Sequence, residues 1–318
     1  MVLPATSGGS FDVVVLGGGM AGLGAARVLK ARGFDVMVLE KCAEPGGLAA
    51  TRTDDGFTYD VGPHFIESSL PEKLGALHLC RDTQNGEEMF FDGRFHRVPL
   101  GLLKSPGAVA SVVGAQMRAV LGPKPTAVNL EERLLSVYGR KFGGEIVGGL
   151  IEKWSGQGPR ALSIDLLGRL DPPTMRVALF HVYAALRRAV TGQNPHLTRP
   201  AVRWVYPEGG IGRLARFLVE NERIPISLNT EVEQIKHENG RWSAVATNRG
   251  RFTARAFVNT LPLSVVATLV GAGTPFDAHR RLLCQPILLV MVKLARPQLL
   301  RHQWAWFPEA RFPFYRVS

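Results

Sequence analysis

The feature that most constrains the fold is a run of glycines between an apolar segment and a helical pattern. Residues 17–22 read Gly-Gly-Gly-Met-Ala-Gly, fit the spacing GxGxxG, and follow Asp12 and the β-branched and apolar residues 13–16. That apolar segment predicts a buried parallel strand. The helical pattern ends at Gly33, and residues 36–39 predict a second strand that ends at Glu40. Strand, glycine turn, helix, strand and acid in this order are typical of a dinucleotide-binding turn.

Each position of the turn has its own physical reason. Gly17 permits the tight turn, Gly19 lets the backbone approach a pyrophosphate, and Gly22 lets the helix pack closely on the strand. The first N–H groups of the helix, at Met20 and Ala21, attract phosphate charge together with the helix dipole. We therefore expect these residues to bind the diphosphate of a dinucleotide cofactor. The competing interpretation is a glycine turn with a structural role only.

Glu40 lies eighteen residues beyond Gly22. This distance lets the chain return along the helix and bring a carboxylate to a ribose hydroxyl. A carboxylate at this point repels a 2′-phosphate, so the sequence disfavours an NADP-type nucleotide.

A second glycine pair, Gly46-Gly47, begins six residues after Glu40, and residues 62–65 read Gly-Pro-His-Phe. A second loop close to the first suits a cofactor that continues past the pyrophosphate. In this order of motifs the chain resembles the flavin-binding, two-domain oxidoreductases that include amine oxidases, phytoene desaturases, protoporphyrinogen oxidase and UDP-galactopyranose mutase. The resemblance implies FAD as the cofactor. For His64, a hydrogen-bonded structural role competes with a role in the site.

Weaker similarities extend the resemblance from about Phe11 to the last residue. They lie at residues 90–100, 152–170, 206–220, 226–235 and 257–266. Within them, Val232 resembles the residue whose backbone holds the adenine. The cofactor-binding residues that the motifs and the resemblance together indicate are Gly17, Gly19, Met20, Ala21, Gly22, Glu40, Lys41, Gly46, Gly47, Leu48, Gly62, Pro63, His64, Phe65 and Val232.

The predicted fold class is α/β. A Rossmann-like FAD-binding domain, with a parallel sheet, a βαβ start and an antiparallel hairpin insertion, would carry an inserted and largely helical substrate domain. The predicted parts are an FAD-binding domain at 11–95, a mainly helical substrate or lid domain at 96–200, the second FAD-binding part at 201–264, and the start of a substrate-domain sheet at 265–318.

Local signals place further elements. Asn129 with Glu132 resembles a capping box that opens a helix, and an apolar stripe predicts another helix at 175–190. Strands are predicted at 226–235, 242–247, 251–258 and 287–293.

The resemblance implies a C-terminal part beyond residue 318, which in relatives packs beside the flavin ring. We therefore expect the sequence to be a fragment or a shortened chain in which the adenine half of the site is complete. We also expect the isolated chain to bind FAD weakly or not at all.

Charge and cysteine content limit the remaining possibilities. The formal net charge is +11, yet no nucleic-acid motif or long basic block occurs, so no nucleic-acid partner is predicted. The three cysteines are far apart and no ligand spacing suggests a metal. Without a signal peptide, a cytoplasmic location is expected. Peripheral association with a membrane and the oligomeric state stay open.

The function that these observations favour is an FAD-dependent oxidoreductase. It would remove a hydride or a hydrogen pair from a small organic substrate that is apolar or amphipathic. Because the flavin ring carries the electrons, the chemistry demands few protein residues, and no catalytic residue can be assigned from spacing. The alternatives are a flavin-dependent isomerase that resembles UDP-galactopyranose mutase, and a remnant without catalytic activity.

Overall fold

The computed structural model describes residues 8–62, 65–83, 86–98, 101, 104–122, 127–169, 203–238, 240–282, 284–295 and 303–318. The chain divides into two compact units. Unit 1 comprises Met1–Gln84, Val202–Cys284 and Leu288–Lys293, and unit 2 comprises Asn85–Ala201, Gln285–Ile287 and Leu294–Ser318. The predicted boundaries between cofactor and substrate domains stay predictions.

The described strands, in chain order, are β1 (Gly9–Leu16), β2 (Val36–Leu39), β3 (Thr51–Asp54), β4 (Phe57–Asp60), β5 (Ile66–Glu67), β6 (Cys80–Asp82), β7 (Glu87–Phe91), β8 (Arg94–Arg97), β9 (Trp204–Pro207), β10 (Ile226–Ser227), β11 (Val232–Glu238), β12 (Arg241–Thr247), β13 (Gly250–Asn259), β14 (Trp304–Trp306) and β15 (Arg316–Val317). The described α-helices are α1 (Met20–Ala31), α2 (Ser69–Leu74), α3 (Pro106–Leu121), α4 (Leu130–Gly139), α5 (Gly149–Ser155), α6 (Gly212–Asn221) and α7 (Leu263–Val270).

Unit 1 is built on a six-stranded sheet with the strand order β10-β2-β1-β13-β12-β11. The pairs β10–β2, β2–β1 and β1–β13 are parallel, whereas β13–β12 and β12–β11 are antiparallel. The predicted Rossmann-like fold class is therefore confirmed, including the βαβ start formed by β1, α1 and β2 and the antiparallel addition.

The residues of β1 alternate between two apolar layers, which explains why the strand is a continuous apolar run. Val13 and Val15 pack with residues of α1 and α6, including Leu23 and Leu218. On the other face, the buried cluster consists of Val14, Leu16, Met37, Leu39, Ile235, Val245, Phe252, Val266 and Val270.

The prediction of one continuous strand at 226–235 was wrong. The chain leaves the sheet after β10 because the backbone N–H of Asn229 donates to Cys42 O (3.0 Å) and that of Thr230 donates to Glu40 O (2.8 Å). Asn229 has a positive φ of 52°, a conformation that asparagine tolerates better than most residues. Thus β10 pairs with β2, and β11 joins the opposite edge of the sheet.

The predicted strand at 287–293 was also wrong, because these residues have irregular backbone. They pair with no strand within the described ranges, and most of their apolar side chains are exposed. Their anchor is Lys293, whose Nζ lies 3.0 Å from an Asp55 carboxylate oxygen and 3.6 Å from one of Asp54. The helix predicted at 175–190 lies outside the described residues.

Unit 2 contains a four-stranded sheet with the order β15-β14-β7-β8, together with α3, α4 and α5. The predicted N-terminus of α4 is confirmed: Glu132 N donates to Asn129 Oδ1 at 3.0 Å. The Glu132 carboxylate differs from a standard capping box because it accepts from Val128 N (2.9 Å) and from the Asn129 side chain.

A π-helical segment, Arg140–Gly148, joins α4 to α5. Ser111 of α3 satisfies backbone groups at this junction: its Oγ donates to Tyr138 O (2.9 Å) and accepts from Lys141 N (3.0 Å) and Phe142 N (3.3 Å). A side chain inserted into a helical ladder in this way explains how the irregular turn is tolerated. It also fixes the rotation of α3 about its own axis. Within the part of the chain that the structure describes, none of the helices combines the length and apolar character needed to cross a bilayer.

Candidate functional site

The turn between β1 and α1 depends on glycine at both ends. Gly17 has a φ of 100°, and its N–H donates to Leu39 O at 2.9 Å, which joins the turn to the end of β2. A methyl group at Gly22 would overlap the Gly17 carbonyl oxygen. By contrast, a methyl group at Gly24, two residues further along α1 and on roughly the opposite face of the helix, would meet no atom within 4 Å. The glycine at 22 is therefore required by this close approach and not by helix formation.

Glu40 closes the turn from the side of β2. Its side chain is buried, with 7% of its surface exposed. One carboxylate oxygen accepts from Gly18 N at 2.7 Å, and the other accepts from Cys42 N at 2.9 Å. An ionised carboxylate offers about four acceptor positions, so both oxygens keep capacity for a further donor. The structure thus places an acceptor directly beside the glycine turn.

The second glycine pair lies against the first turn. Gly46 N donates to Gly18 O at 2.9 Å, and Gly19 and Gly46 form a parallel bridge. Gly46 and Gly47 both have positive φ angles, 126° and 59°. A methyl group at Gly47 would lie 3.3 Å from the Gly19 Cα. The two loops that the sequence pattern singled out are therefore one joined structure.

The start of α1 presents backbone groups without a side-chain cap among the described residues. Gly19 has open space where a side chain would be, because an added methyl group would meet only the Gly46 carbonyl oxygen, at 3.9 Å. Ala21 is exposed. The Met20 side chain packs against the apolar clusters of unit 1, so its backbone N–H is the group it offers. This arrangement fits the diphosphate of a dinucleotide, which binds to free N–H groups at a helix N-terminus.

The other residues predicted for the site have different positions. Lys41 is exposed, and Leu48 is 78% exposed at the edge of the second glycine loop. Gly62 lies against the same loop, since a methyl group there would overlap the Leu48 carbonyl oxygen. Phe65 is buried, with its ring edge-on to Trp204 at 5.0 Å between centroids.

Pro63 and His64 lie outside the described residues. Val232 begins β11 and pairs with Thr247. It follows Thr230, whose N–H donates to Glu40 O, so the chain brings Val232 to the neighbourhood of the glycine turn. The assignment of these residues to the cofactor stays a prediction.

Sequence reasoning missed a second buried carboxylate, Asp60, which is 4% exposed. One of its oxygens accepts from the Thr51 hydroxyl and from Ile211 N (3.1 Å), and the other accepts from the Tyr206 hydroxyl at 2.7 Å. Gly212 N donates to Thr51 Oγ1 at 2.8 Å. Asp60 therefore binds the N-terminus of α6 to the β3–β4 hairpin.

This carboxylate supports the second glycine loop indirectly. A methyl group at Gly46 would lie 2.9 Å from the Ala49 carbonyl oxygen of its own loop and 3.4 Å from the Ala215 side chain of α6, so α6 packs beside Gly46. A methyl group at Gly210 would overlap the Thr51 side chain. The sequence offered two signals for this cluster, the acid at the end of a short strand and the segment around Tyr206. They could not be combined from the sequence, because Asp60 and Tyr206 are far apart along the chain.

The Tyr206 hydroxyl has a pKa raised well above its usual range. Burial is the main cause, and the hydrogen bond to the Asp60 carboxylate adds to it. Both disfavour the phenolate, so Tyr206 acts here as a hydrogen-bond donor.

Taken together, a Rossmann-like sheet, a glycine turn at a helix N-terminus and a buried acid at the end of β2 define a dinucleotide-binding protein. A family model described as flavin containing amine oxidoreductase matches residues 20–311. The chain belongs to this family of flavin-containing oxidoreductases, and FAD is the cofactor that the membership indicates.

Individual relatives agree with this assignment. The phytoene dehydrogenase of Streptomyces griseus is 26% identical over 288 residues, which cover 81% of this chain and 56% of that protein. The zeta-carotene-forming phytoene desaturase of Myxococcus xanthus is 48% identical over 54 residues, or 17% of this chain and 10% of that protein. The chain thus spans little more than half of these curated relatives at most.

Among solved structures, reduced UDP-galactopyranose mutase has a TM-score of 0.70 at 18% identity and covers 96% of this chain and 69% of that one. At this identity the likeness shows the fold alone.

We predict that Gly22→Ala lowers the free energy of unfolding by about 1–3 kcal/mol or more, because the new methyl group overlaps the Gly17 carbonyl oxygen. Urea unfolding followed by circular dichroism measures this. Gly24→Ala is the matched control in the same helix, and it should be neutral or stabilising by about 0.5–1 kcal/mol. Equal effects of the two substitutions would contradict the close approach at Gly22.

We predict that Tyr206 makes the folded state sensitive to alkaline pH. Because its folded pKa lies above the value of 10.0 for the unfolded chain, the folded state holds the phenol proton longer. The contribution of Tyr206 to the free energy of unfolding is complete below pH 10.0 and is lost as the pH rises from there through the pKa of the folded state. Unfolding free energies measured across this range should therefore fall more steeply for the natural protein than for Tyr206→Phe. Parallel curves would show that the hydroxyl is not held as described.

Proposed function

We propose that the protein is an FAD-dependent oxidoreductase that removes hydrogen from a C–C bond of an apolar organic substrate, as a desaturase or dehydrogenase does. The observation that carries the cofactor part is the joining of the two glycine loops. The Gly46 N–H to Gly18 O bond holds the second loop directly over the N-terminus of α1. A second loop at this point suits a cofactor that continues past the diphosphate.

In this proposal each part of the site has one task. The backbone N–H groups at Gly19, Met20 and Ala21 would hold the diphosphate. Glu40 would accept from a ribose hydroxyl while it keeps its bonds to the turn, and the backbone of Val232 would meet the adenine. Leu48, exposed at the rim of the second loop, would cover the chain of the cofactor beyond the diphosphate.

When bound, FAD supplies the acceptor for the electrons taken from the substrate. The described residues of the protein would bind and orient that cofactor. Asp60 and Thr51 hold the N-terminus of α6 against the β3–β4 hairpin, and Glu40 holds the backbone of Gly18 in the turn.

The choice of a C–C bond rests on the relatives. One alignment that extends over most of this chain is with a phytoene dehydrogenase, and a shorter one is with a phytoene desaturase. The name of the family points to amines as the other substrate class. An isomerase of the UDP-galactopyranose mutase kind is supported by fold similarity alone.

We predict that Glu40→Gln weakens binding of ADP, the half of FAD that the turn would hold, by roughly 10- to 100-fold. The amide places a donor where the carboxylate now accepts from a backbone N–H. Calorimetric titration of the full chain measures this, with unfolding free energies recorded alongside. Glu44→Gln is the control, since Glu44 pairs with Arg216 on the surface, and it should change the affinity by less than about twofold. FMN lacks the adenosine part, so competition by FMN as strong as by ADP would contradict the proposal.

The substrate class is tested by anaerobic mixing of the FAD-loaded protein with a long-chain polyene, a polyamine or UDP-galactopyranose. We expect the polyene to bleach the visible flavin absorbance without added reductant. Bleaching by the polyamine alone would keep the oxidoreductase and overturn the substrate class. Turnover of the sugar nucleotide only after reduction with dithionite would indicate the isomerase. Failure of the protein to retain FAD when it is loaded, together with absence of turnover, would indicate a remnant without catalysis.

A further inference from the structure

Helix α3 of unit 2 carries an apolar stripe that is open to solvent. Val113, Met117, Val120 and Leu121 are between 49% and 81% exposed, and Ala110 is exposed beside them. At about 100° per residue, these five side chains fall within an arc of roughly 100° on the helix surface. An exposed arc of this width normally carries polar residues. Here it is wholly aliphatic or thioether.

The opposite side of α3 is fixed, so the stripe cannot turn inward. Ala108 and Ala115 are each 2% exposed and lie across the helix from the stripe. Ser111 is bonded to the junction after α4 as described above, and Gln116 Nε2 donates to Val137 O at 2.8 Å. Rolling the helix to bury the stripe would break these hydrogen bonds and expose the two alanines.

The chain segment that contains α3 carries charge of one sign. Residues 93–130 contain no Asp or Glu and five Lys or Arg, namely Arg94, Arg97, Lys104, Arg118 and Lys124. One acid from outside this segment, Asp92, reaches the N-terminus of α3, where it accepts from the Ser105 hydroxyl at 3.4 Å, and it is paired with Lys141. Arg118 is exposed next to Met117 in the stripe, and it forms no salt bridge with an acid of the described residues. A second exposed apolar segment among the described residues, at 287–294, differs in this respect because its Lys293 is paired with Asp54 and Asp55.

We propose that α3 lies flat on an anionic lipid bilayer. Val113, Met117, Val120 and Leu121 would enter the boundary between headgroups and acyl chains, and Arg118 would face lipid phosphates. A helix with an aliphatic face and basic flanks binds such a surface through buried apolar area together with attraction to anionic lipid.

A protein partner fits the same surface less well. Protein interfaces depend on aromatic anchors and on hydrogen bonds at a polar rim. The stripe has no aromatic residue and no hydrogen-bonding group. A lipid surface needs neither, since aliphatic side chains and cations are sufficient for it.

The experiment is sedimentation of the full chain with vesicles of phosphatidylcholine and phosphatidylglycerol in equal parts, compared with vesicles of phosphatidylcholine alone. We expect binding to the anionic vesicles that weakens with added salt. Val120→Glu should lower the partition coefficient by roughly tenfold or more, because it places an acid among the inserted side chains. Arg118→Gln should lower it about fivefold on anionic vesicles and leave phosphatidylcholine vesicles unaffected.

The matched control is Val290→Glu, which places the same charge on a residue that is 74% exposed in the other apolar segment. It should change binding to the anionic vesicles by less than about twofold. Thermal unfolding establishes that each variant is folded, and Met117→Gln serves as a milder second change in the stripe. The proposal is overturned if the anionic vesicles bind no protein, or if Val290→Glu lowers binding as much as Val120→Glu does. It is equally overturned if Val120→Glu dissociates an oligomer while vesicles bind neither protein, since the stripe would then meet a second copy.

Discussion

The structure of unit 1 depends on one close approach, that of the Gly22 backbone to the carbonyl oxygen of Gly17. Because no side chain separates them, α1 can begin immediately after β1 and point its first N–H groups at the space above the sheet. The turn that results leaves Gly18 able to use both its backbone groups: its N–H donates to Glu40, and its C=O accepts from Gly46. A single residue thereby links the end of β2 and the second glycine loop.

Two buried carboxylates, those of Glu40 and Asp60, each accept hydrogen bonds from backbone N–H groups near this site. Glu40 accepts from the backbone of Gly18 and Cys42, and Asp60 accepts from the backbone of Ile211 and from the Thr51 and Tyr206 hydroxyls. These N–H and hydroxyl donors satisfy the acceptor oxygens of the two buried side chains. Each acid in turn fixes a glycine-rich segment that has few side-chain contacts of its own. The glycines allow the backbone segments to approach closely, and hydrogen bonds to the acids hold those segments in place.

The candidate cofactor site and the proposed membrane-binding surface lie in different units. Unit 1 contains every described residue of the candidate cofactor site, and unit 2 contains the aliphatic face of α3. An enzyme whose substrate is apolar gains from lying on a bilayer, because such a substrate concentrates in the lipid and not in water. The substrate class and the surface are independent inferences, since the first rests on the relatives and the second on the exposure and charge of α3.

The sequence by itself determined β1, α1, β2 and Glu40, together with the start of α4 at Asn129, because these depend on local periodicity, glycine sterics and capping. The resemblance of its motifs to a flavoprotein family correctly indicated the fold class and FAD. Tertiary structure alone decided the break between β10 and β11, the irregular backbone at 287–293, the partners of Asp60 and the outward face of α3. In each of these the controlling hydrogen bond or packing contact joins segments that are far apart along the chain, and a local pattern contains no information about a distant partner.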